Sequence, residues 1–295
     1  MDAADLKVFE AVARLGGMSR AASELNTVQS NVTARIRQLE DKLGTPLFQR
    51  HSRGVAVTDA GRRLLPYARR IGSLLDEARR AARDDGSPTG PLTIGSLETT
   101  TALRLSPRLA VYAAAYPEVD IGIRTGTTAE LIEDVLQRRV DGAFVCGPVQ
   151  HPDLEEELFF REELVVLTSL DKRLLDDVLG TPNLKIVVLR IGCSYRQMLE
   201  SILAKRGVVG LRRLEFGTLE AIYGCVAAGL GITLLPKSLI GTVWRDGRVA
   251  VLPLPPEEAL VDTVFIRRRD AYVSSALEAF LRTVRPPMAH AAAAE

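Results

Sequence analysis

Cysteine and histidine are scarce in this chain, and their scarcity removes whole classes of chemistry. Three of 295 residues are cysteine and three are histidine. Cys146, Cys193 and Cys225 form no CxxC or other metal-ligand spacing, which argues against zinc and iron–sulfur sites and against a disulfide-stapled secreted fold. His51, His151 and His290 complete no Ser/His/Asp set, and no Walker-type phosphate loop is present. The expectation is a protein that is not an enzyme and uses no metal and no cofactor. Long apolar runs are also missing, because none reaches the roughly 18 residues of a membrane span. The opening MDAADLKVFEAVARLGG has early acids and no apolar signal core. The chain therefore reads as cytoplasmic and reduced, with no membrane partner.

The charge is unevenly divided. Residues 1–86 hold 15 Lys/Arg against 11 Asp/Glu, whereas 87–295 hold 23 against 26. The basic end is the one a phosphate backbone would attract. A hydrophobic fraction of 46% over this length can fill real cores in about two or three domains.

The basic end carries the most informative stretch, SRAASELNTVQSNVTARIRQLEDKLGTPLFQRHSRG at 19–54. Upstream, Leu6, Phe9, Val12 and Leu15 predict a first amphipathic helix. Ala21, Ala22 and Leu25 mark a second, short one. Leu25-Asn26-Thr27 interrupts it, and Thr27 is placed to N-cap the next helix. In that helix Val28, Val32, Ile36 and Leu39 fall on one apolar stripe. Its other face offers Ser30, Thr33, Ala34 and Arg37, with Gln29 at the exposed start and Asn31 and Arg35 alongside. Small residues permit close approach to base edges, polar ends can read them, and Arg grips guanine or phosphate. Gln49–Gly54 predicts a turn and Val55–Val57 a short strand, which together make a basic wing with Arg50 and Arg53 near phosphates or the minor groove. Periodicity alone fits a helical hairpin with a solvated polar face equally well.

The segment AASELNTVQSNVTARIRQLEDKLGTPLFQRHSRGVAVTDAG resembles the DNA-binding region of the LysR-type transcriptional regulators. The matching residues are Ala21-Ala22, Leu25, Gln29, Val32-Thr33, Ile36, Leu39-Glu40, Leu43-Gly44, Leu47-Phe48, Arg50, Arg53-Gly54, Thr58 and Gly61. Family members often have Ser, Pro and Arg where this chain has Val28, Ser30 and Ala34, so base preferences do not carry over. The resemblance implies a winged helix-turn-helix over 1–57 and a linker over 58–91. An effector-binding domain follows over 92–288, and the tail 289–295 reads as disordered.

The linker has its own pattern. Thr58 can cap a helix, and Leu64, Ala68, Ile71, Leu75 and Ala78 follow a heptad spacing. This fits either one helix packed on its own domain or a seam between two chains; the resemblance implies a dimerisation helix. Pro66 should kink or delay it. Asp84–Pro91 reads as a hinge.

From Leu92 the texture changes. Strands at 92–95, 119–124, 142–145, 164–167, 186–189, 214–216, 232–235 and 264–267 alternate with helices at 103–116, 129–138, 195–205, 219–228 and 272–284. Alternation at this spacing predicts parallel α/β sheets. The fold class is α+β overall: a mainly α winged helix-turn-helix, a long linker helix, then Rossmann-like lobes. The resemblance implies two such lobes of periplasmic-binding-protein type, lobe I at 92–162 with 268–288 and lobe II at 163–267.

Ligands of such folds bind beyond strand ends, in the cleft. Ser96, Glu98, Thr99 and Thr100 follow the first strand. Thr127 and Thr128 follow the second, and Gly147 and Pro148 the third. Cys193, Ser194 and Tyr195 open a helix, and Phe216, Gly217 and Thr218 follow a later strand. Each hydroxyl could be an ordinary helix cap, but their convergence suggests a small anionic metabolite held by Ser96, Thr100, Thr127 and Ser194. Glu98 would repel such an anion, or bind an amine, if it points inward. Redox sensing through Cys193 lacks an obvious partner, because Cys225 lies 32 residues away. The expected partners are promoter DNA, a small-molecule effector and further copies of the chain as a homodimer or homotetramer; the family reading leaves RNA polymerase open. The alternatives are a ligand-independent DNA-binding regulator and an α/β enzyme carrying a helix-turn-helix.

Overall fold

The computed structural model describes residues 1–51, 54–181, 183–208 and 210–286. Arg53 and the tail from 289 lie outside the described residues, and the Arg50 side chain lies outside them too. The chain forms two compact units: Met1–Arg83 with Gln137–Arg139, and Asp84–Leu136 with the chain from Val140 onward.

The first unit opens with α1 (Ala3–Leu15), α2 (Met18–Glu24) and α3 (Gln29–Leu43). The Asp2 carboxylate accepts from the Asp5 N–H at 2.8 Å, and that of Asp5 accepts from the Asp2 N–H at 3.3 Å, a reciprocal box that fixes the start of α1. Phe9, Val12, Ala21, Val32, Ile36, Leu39 and Leu47 share one core. Gly44, at φ 66°, ends α3 in the left-handed region that glycine enters without steric cost. One Glu40 oxygen then accepts from the N–H groups of Leu47 (2.7 Å) and Phe48 (3.1 Å). This fixes the exit into an antiparallel hairpin, β1 (Phe48–His51) and β2 (Gly54–Val57). Gln49–His51 is thus strand rather than turn: pairing with β2, and the Phe48 ring 5.4 Å from that of Phe9, override the polar local sequence.

Helix α4 (Asp59–Arg83) runs for 25 residues. Thr58 caps it, its Oγ1 accepting from the Gly61 N–H at 3.0 Å. Pro66 neither delays nor ends the helix. The ring forfeits one bond to the Arg62 carbonyl, and Leu64, Leu65 and Ala68 hold the turn by packing on the core. That packing corrects the heptad expectation, since Leu64 and Ala68 serve their own domain. Ile71 and Leu75 stay exposed with Tyr67 and Leu74, as does Ala78.

The second unit contains β3 (Gly90–Ser96), a short α5 (Glu98–Thr100), a π-turn (Thr101–Leu105) and α6 (Ser106–Ala115). The helix expected from Leu103 therefore starts earlier and is interrupted. Next come β4 (Val119–Thr125), α7 (Thr128–Leu136), β5 (Gly142–Cys146) and β6 (Leu154–Thr168). Then follow α8 (Leu175–Leu179), β7 (Lys185–Leu189), α9 (Ser194–Lys205), β8 (Arg212–Phe216), α10 (Leu219–Ala227) and β9 (Thr233–Pro236). Finally come β10 (Ala250–Pro253), α11 (Pro256–Ala259), β11 (Leu260–Arg268) and α12 (Ser275–Val284).

The main sheet runs β10-β6-β11-β5-β3-β4, with β9 also on β6, while β7 and β8 pair separately. Only β3–β4, β3–β5 and β7–β8 are parallel among the paired strands, which corrects the expectation of parallel sheets. The departure comes from β6 and β11, two long strands that pair antiparallel. The first part of β6 hides in a charged run, LEEELFFREE, whose strand state depends on its partner. Two cores flank the crossing. One holds Leu92, Ile94, Leu105, Tyr112, Phe144 and Phe280. The other holds Leu164, Val166, Ile186, Leu199, Ile222 and Leu234, and reaches back to Leu131 and Val145.

Asp84 is anchored rather than free to hinge. Its carboxylate accepts from the Ser275 N–H at 2.8 Å and from the Ser275 hydroxyl, at the start of α12. The Gly86 N–H donates to it at 3.0 Å. These bonds favour the ionised form, the Ser275 hydroxyl most strongly, and lower its pKa from 3.8 to about 2. A depressed carboxylate pKa contributes stability that is complete above the ordinary value and disappears as pH falls through the folded one. Acid denaturation should therefore lose an α12-docking contribution between pH 3.8 and about 2. Asp84→Asn should lower the thermal midpoint at neutral pH and flatten that part of the profile; an identical acid limb in both proteins would refute the anchor.

Candidate functional site

Helix α3 presents the DNA-facing candidates. Val32, Ile36 and Leu39 are buried, and Ser30, Asn31, Ala34 and Arg37 are exposed on the outer side. Thr27 does not cap the helix: Val28 occupies the cap position, and the Thr27 hydroxyl instead accepts from Asn31 Nδ2 at 2.9 Å. Val28, expected in the buried stripe, is 64% exposed because the helix has barely begun there. Gln29 Oε1 accepts from the Ser19 hydroxyl at 2.9 Å. Thr33 is half-buried on the flank.

Arg35 departs from the expected face, its Nη1 lying 3.7 Å from Asp5 Oδ1. Lys42 Nζ meets the other Asp5 oxygen at 3.1 Å. Asp5 is buried, so this pair of cations fastens α3 to α1. Gln38, absent from the sequence-based set, shares the exposed face. Its spacing four residues beyond Ala34 and eight beyond Ser30 was the signal available.

The second unit holds a half-open cavity of about 30 Å³, room for a water or two. Of the expected residues, Glu98, Thr99, Thr127, Thr128, Cys193, Ser194, Tyr195 and Gly217 line it. Leu97 and Gly126, on the segments expected after the first and second strands, line it too, whereas Cys146, Leu189 and Arg190 line it and were missed. Gly147 and Pro148 instead line an adjoining open groove of about 500 Å³, which shares Thr128, Cys146 and Ser194 with the cavity. Ser96, Thr100, Phe216 and Thr218 line neither. The buried Ser96 hydroxyl donates to the Leu97 carbonyl at 3.1 Å, Thr100 is buried, and Thr218 caps α10 through the Ala221 N–H. For Ser96 and Thr218 the ordinary role of a short hydroxyl side chain wins.

Side chains from the two halves of the unit meet across the cavity. The Ser194 hydroxyl donates to Thr128 Oγ1 at 2.9 Å, and the Cys146 N–H reaches the same oxygen at 3.3 Å. The hydroxyls of Thr99 and Tyr195 lie 3.5 Å apart. Arg190 donates to Glu130 Oε2 through Nε (3.3 Å) and Nη2 (3.1 Å). The Thr127 N–H donates to that oxygen at 2.8 Å. This backbone bond, aided by Arg190, holds Glu130 below the usual carboxylate range. Removing the hydroxyl bridge with Ser194→Ala should cost about 0.5–1.5 kcal/mol, measured as a lower urea midpoint; an unchanged midpoint would show that the bridge does not hold the halves together.

Burial raises the Glu98 pKa, and Arg190 pulls it partly back. Cys146 and Cys193 face the same cavity, so the spatial partner of Cys193 is Cys146 rather than Cys225. Burial pushes the Cys146 thiol up to about 11 and also raises Cys193, which keeps both as thiols and weak nucleophiles. Among the described residues no three His, Cys, Asp or Glu side chains group as a metal site, and no helix is long and apolar enough to cross a membrane.

The comparisons fit both units. Residues 3–62 match the bacterial regulatory helix-turn-helix protein model of the lysR family, and residues 85–289 match the LysR substrate binding domain. The chain belongs to the LysR family of transcriptional regulators. It is a DNA-binding regulator with a substrate-binding domain. It is 44% identical over 280 residues to the HTH-type transcriptional regulator GltR of Bacillus subtilis, covering 95% of each chain. It is 41% identical to the HTH-type transcriptional regulator CzcR of Bacillus cereus, covering 96% of this chain and 97% of that one. Among solved LysR structures, a full-length OxyR variant from Pseudomonas aeruginosa superposes with a TM-score of 0.72 at 20% identity, covering 96% and 94% of the two chains. Full-length CbnR complexed with target DNA gives 0.68 at 24%, covering 96% and 99%. At those identities the likeness is one of fold.

Proposed function

We propose that this regulator reads a promoter site through the outer face of α3, and that a small metabolite with an acidic group, bound between two lobes, controls it. The supporting observation is the cavity itself: residues from both halves of the second unit line it, and across it the halves meet through reversible bonds such as Ser194–Thr128 and Arg190–Glu130. Those halves are lobe I, 92–162 with 268–288, and lobe II, 163–267. A ligand seated there touches both halves, so its binding energy biases how they lie against each other. Arg37, Ser30, Asn31 and Ala34 carry base contacts, while Arg50 and Arg53 serve phosphates. The exposed stripe of Tyr67, Ile71, Leu74, Leu75 and Ala78 on α4 pairs with a second copy. Two dimers assemble as a cytoplasmic homotetramer, and lobe movement alters the spacing or bend they impose on DNA. The protein has no catalytic role.

The test is an electrophoretic mobility shift on the promoter beside its own gene, with and without metabolite extract, for the natural chain and Thr128→Phe. The proposal expects the extract to change the affinity of the natural chain, and the variant to bind DNA without responding. A variant that responds as the natural chain does would place the ligand elsewhere.

A further inference from the structure

Two charged side chains stand in the wall of the cavity, Glu98 and Arg190; the other lining residues are apolar, thiol, hydroxyl or glycine. The two do not form an ion pair with each other among the described residues. Arg190 directs Nε and Nη2 to Glu130, which leaves Nη1 without a partner among the described residues. Glu98 is half-buried, and its carboxylate takes part in no hydrogen bond or ion pair among the described residues. A carboxylate withdrawn from water without a hydrogen-bond partner is costly, and burial raises the Glu98 pKa more than the nearby Arg190 lowers it.

A purely anionic ligand on Arg190 would meet Glu98 as well as Glu130. A purely cationic ligand on Glu98 would meet Arg190. A ligand carrying both charges satisfies both side chains, its carboxylate taking a charge-assisted hydrogen bond from the remaining Nη1 of Arg190. We infer that the metabolite taken between the lobes is a zwitterion of the amino-acid class, its ammonium on Glu98 and its carboxylate on Arg190. This rests on the cavity being the effector site and names the ligand class for it.

The experiment is calorimetry and thermal unfolding of the full-length chain with α- and ω-amino acids. Each amino acid is compared with the carboxylic acid lacking the amino group and with the amine lacking the carboxylate. At least one amino acid should bind, and its des-amino and decarboxylated partners should bind weaker by on the order of tenfold or more, as the loss of a charged hydrogen bond implies. Glu98→Gln should abolish the preference for the amino acid over the des-amino acid and leave promoter binding without ligand unchanged. The comparison among ligands on the natural chain stands whether or not that variant folds. A des-amino acid that binds as tightly as its amino acid would overturn the zwitterion while leaving an anion-binding effector cleft. Failure of every amino acid to bind, while metabolite extract still changes promoter binding, would also overturn it and leave the regulatory reading standing. Silence from both the panel and the extract would overturn both.

Discussion

Arg37→Ala is expected to weaken promoter binding by about 1–3 kcal/mol without changing the thermal midpoint. Arg37 is exposed on α3, and its side chain has no ion pair or hydrogen bond among the described residues, so folding does not use the guanidinium. Arg35, two residues earlier, is the control, because it sits against the buried Asp5 and contributes to how α3 lies on α1. The mode of contact is separable. If Arg37 reaches guanine, its loss should relax sequence preference at one position; if it reaches phosphate, affinity should fall uniformly and the salt slope should drop by about 1. Mobility-shift titrations at several salt concentrations read both. Unchanged affinity at every salt would remove Arg37 from the DNA-reading face.

Phe144→Ala is expected to destabilise the effector domain by roughly 3–5 kcal/mol, a fall on the order of 10 °C in its thermal transition. The Phe144 ring is fully buried and lies 5.0 Å from that of Phe265, 5.2 Å from Phe159 and 6.4 Å from Phe280. Truncation leaves a cavity among rings carried by β5, β6, β11 and α12, which cannot all collapse inward. The effect should reach the site, because the Phe144 carbonyl accepts from the Leu97 N–H at 3.2 Å, immediately before Glu98. Calorimetry and ligand titration would check both consequences. A variant with an unaltered midpoint would show that the ring cluster is not the support of the cavity floor.

The helical unit was legible in the sequence because its signals are local. Apolar spacing predicted α1 and the buried part of α3, and Thr58 marked the start of α4. The errors there arose where a tertiary partner decides: Asp5 claims Arg35, the core claims Leu64 and Ala68, and strand pairing claims Gln49–His51. The effector domain was legible in most of its short strands and helices but only in part in β6 and β11, where the expected strands 164–167 and 264–267 cover the later portions. A strand whose run is LEEELFFREE has no alternating pattern of its own and exists because its neighbour pairs with it. The site was half legible. Position after a strand brought Thr99, Thr127, Thr128 and Ser194 to the cavity, but the same rule could not tell them from Ser96 and Thr218, whose hydroxyls bond locally. Arg190 was missed although it directly follows β7, the kind of position that placed Thr127 and Thr128, and Cys146 was missed because it is a buried residue at the end of β5.

The most direct measurement is footprinting of the full-length protein on the intergenic DNA beside its own gene, with and without metabolite extract. The account predicts a protected, palindrome-like site whose extent shortens or shifts when extract is added. A site protected to the same extent under every condition would contradict control by a ligand between the lobes.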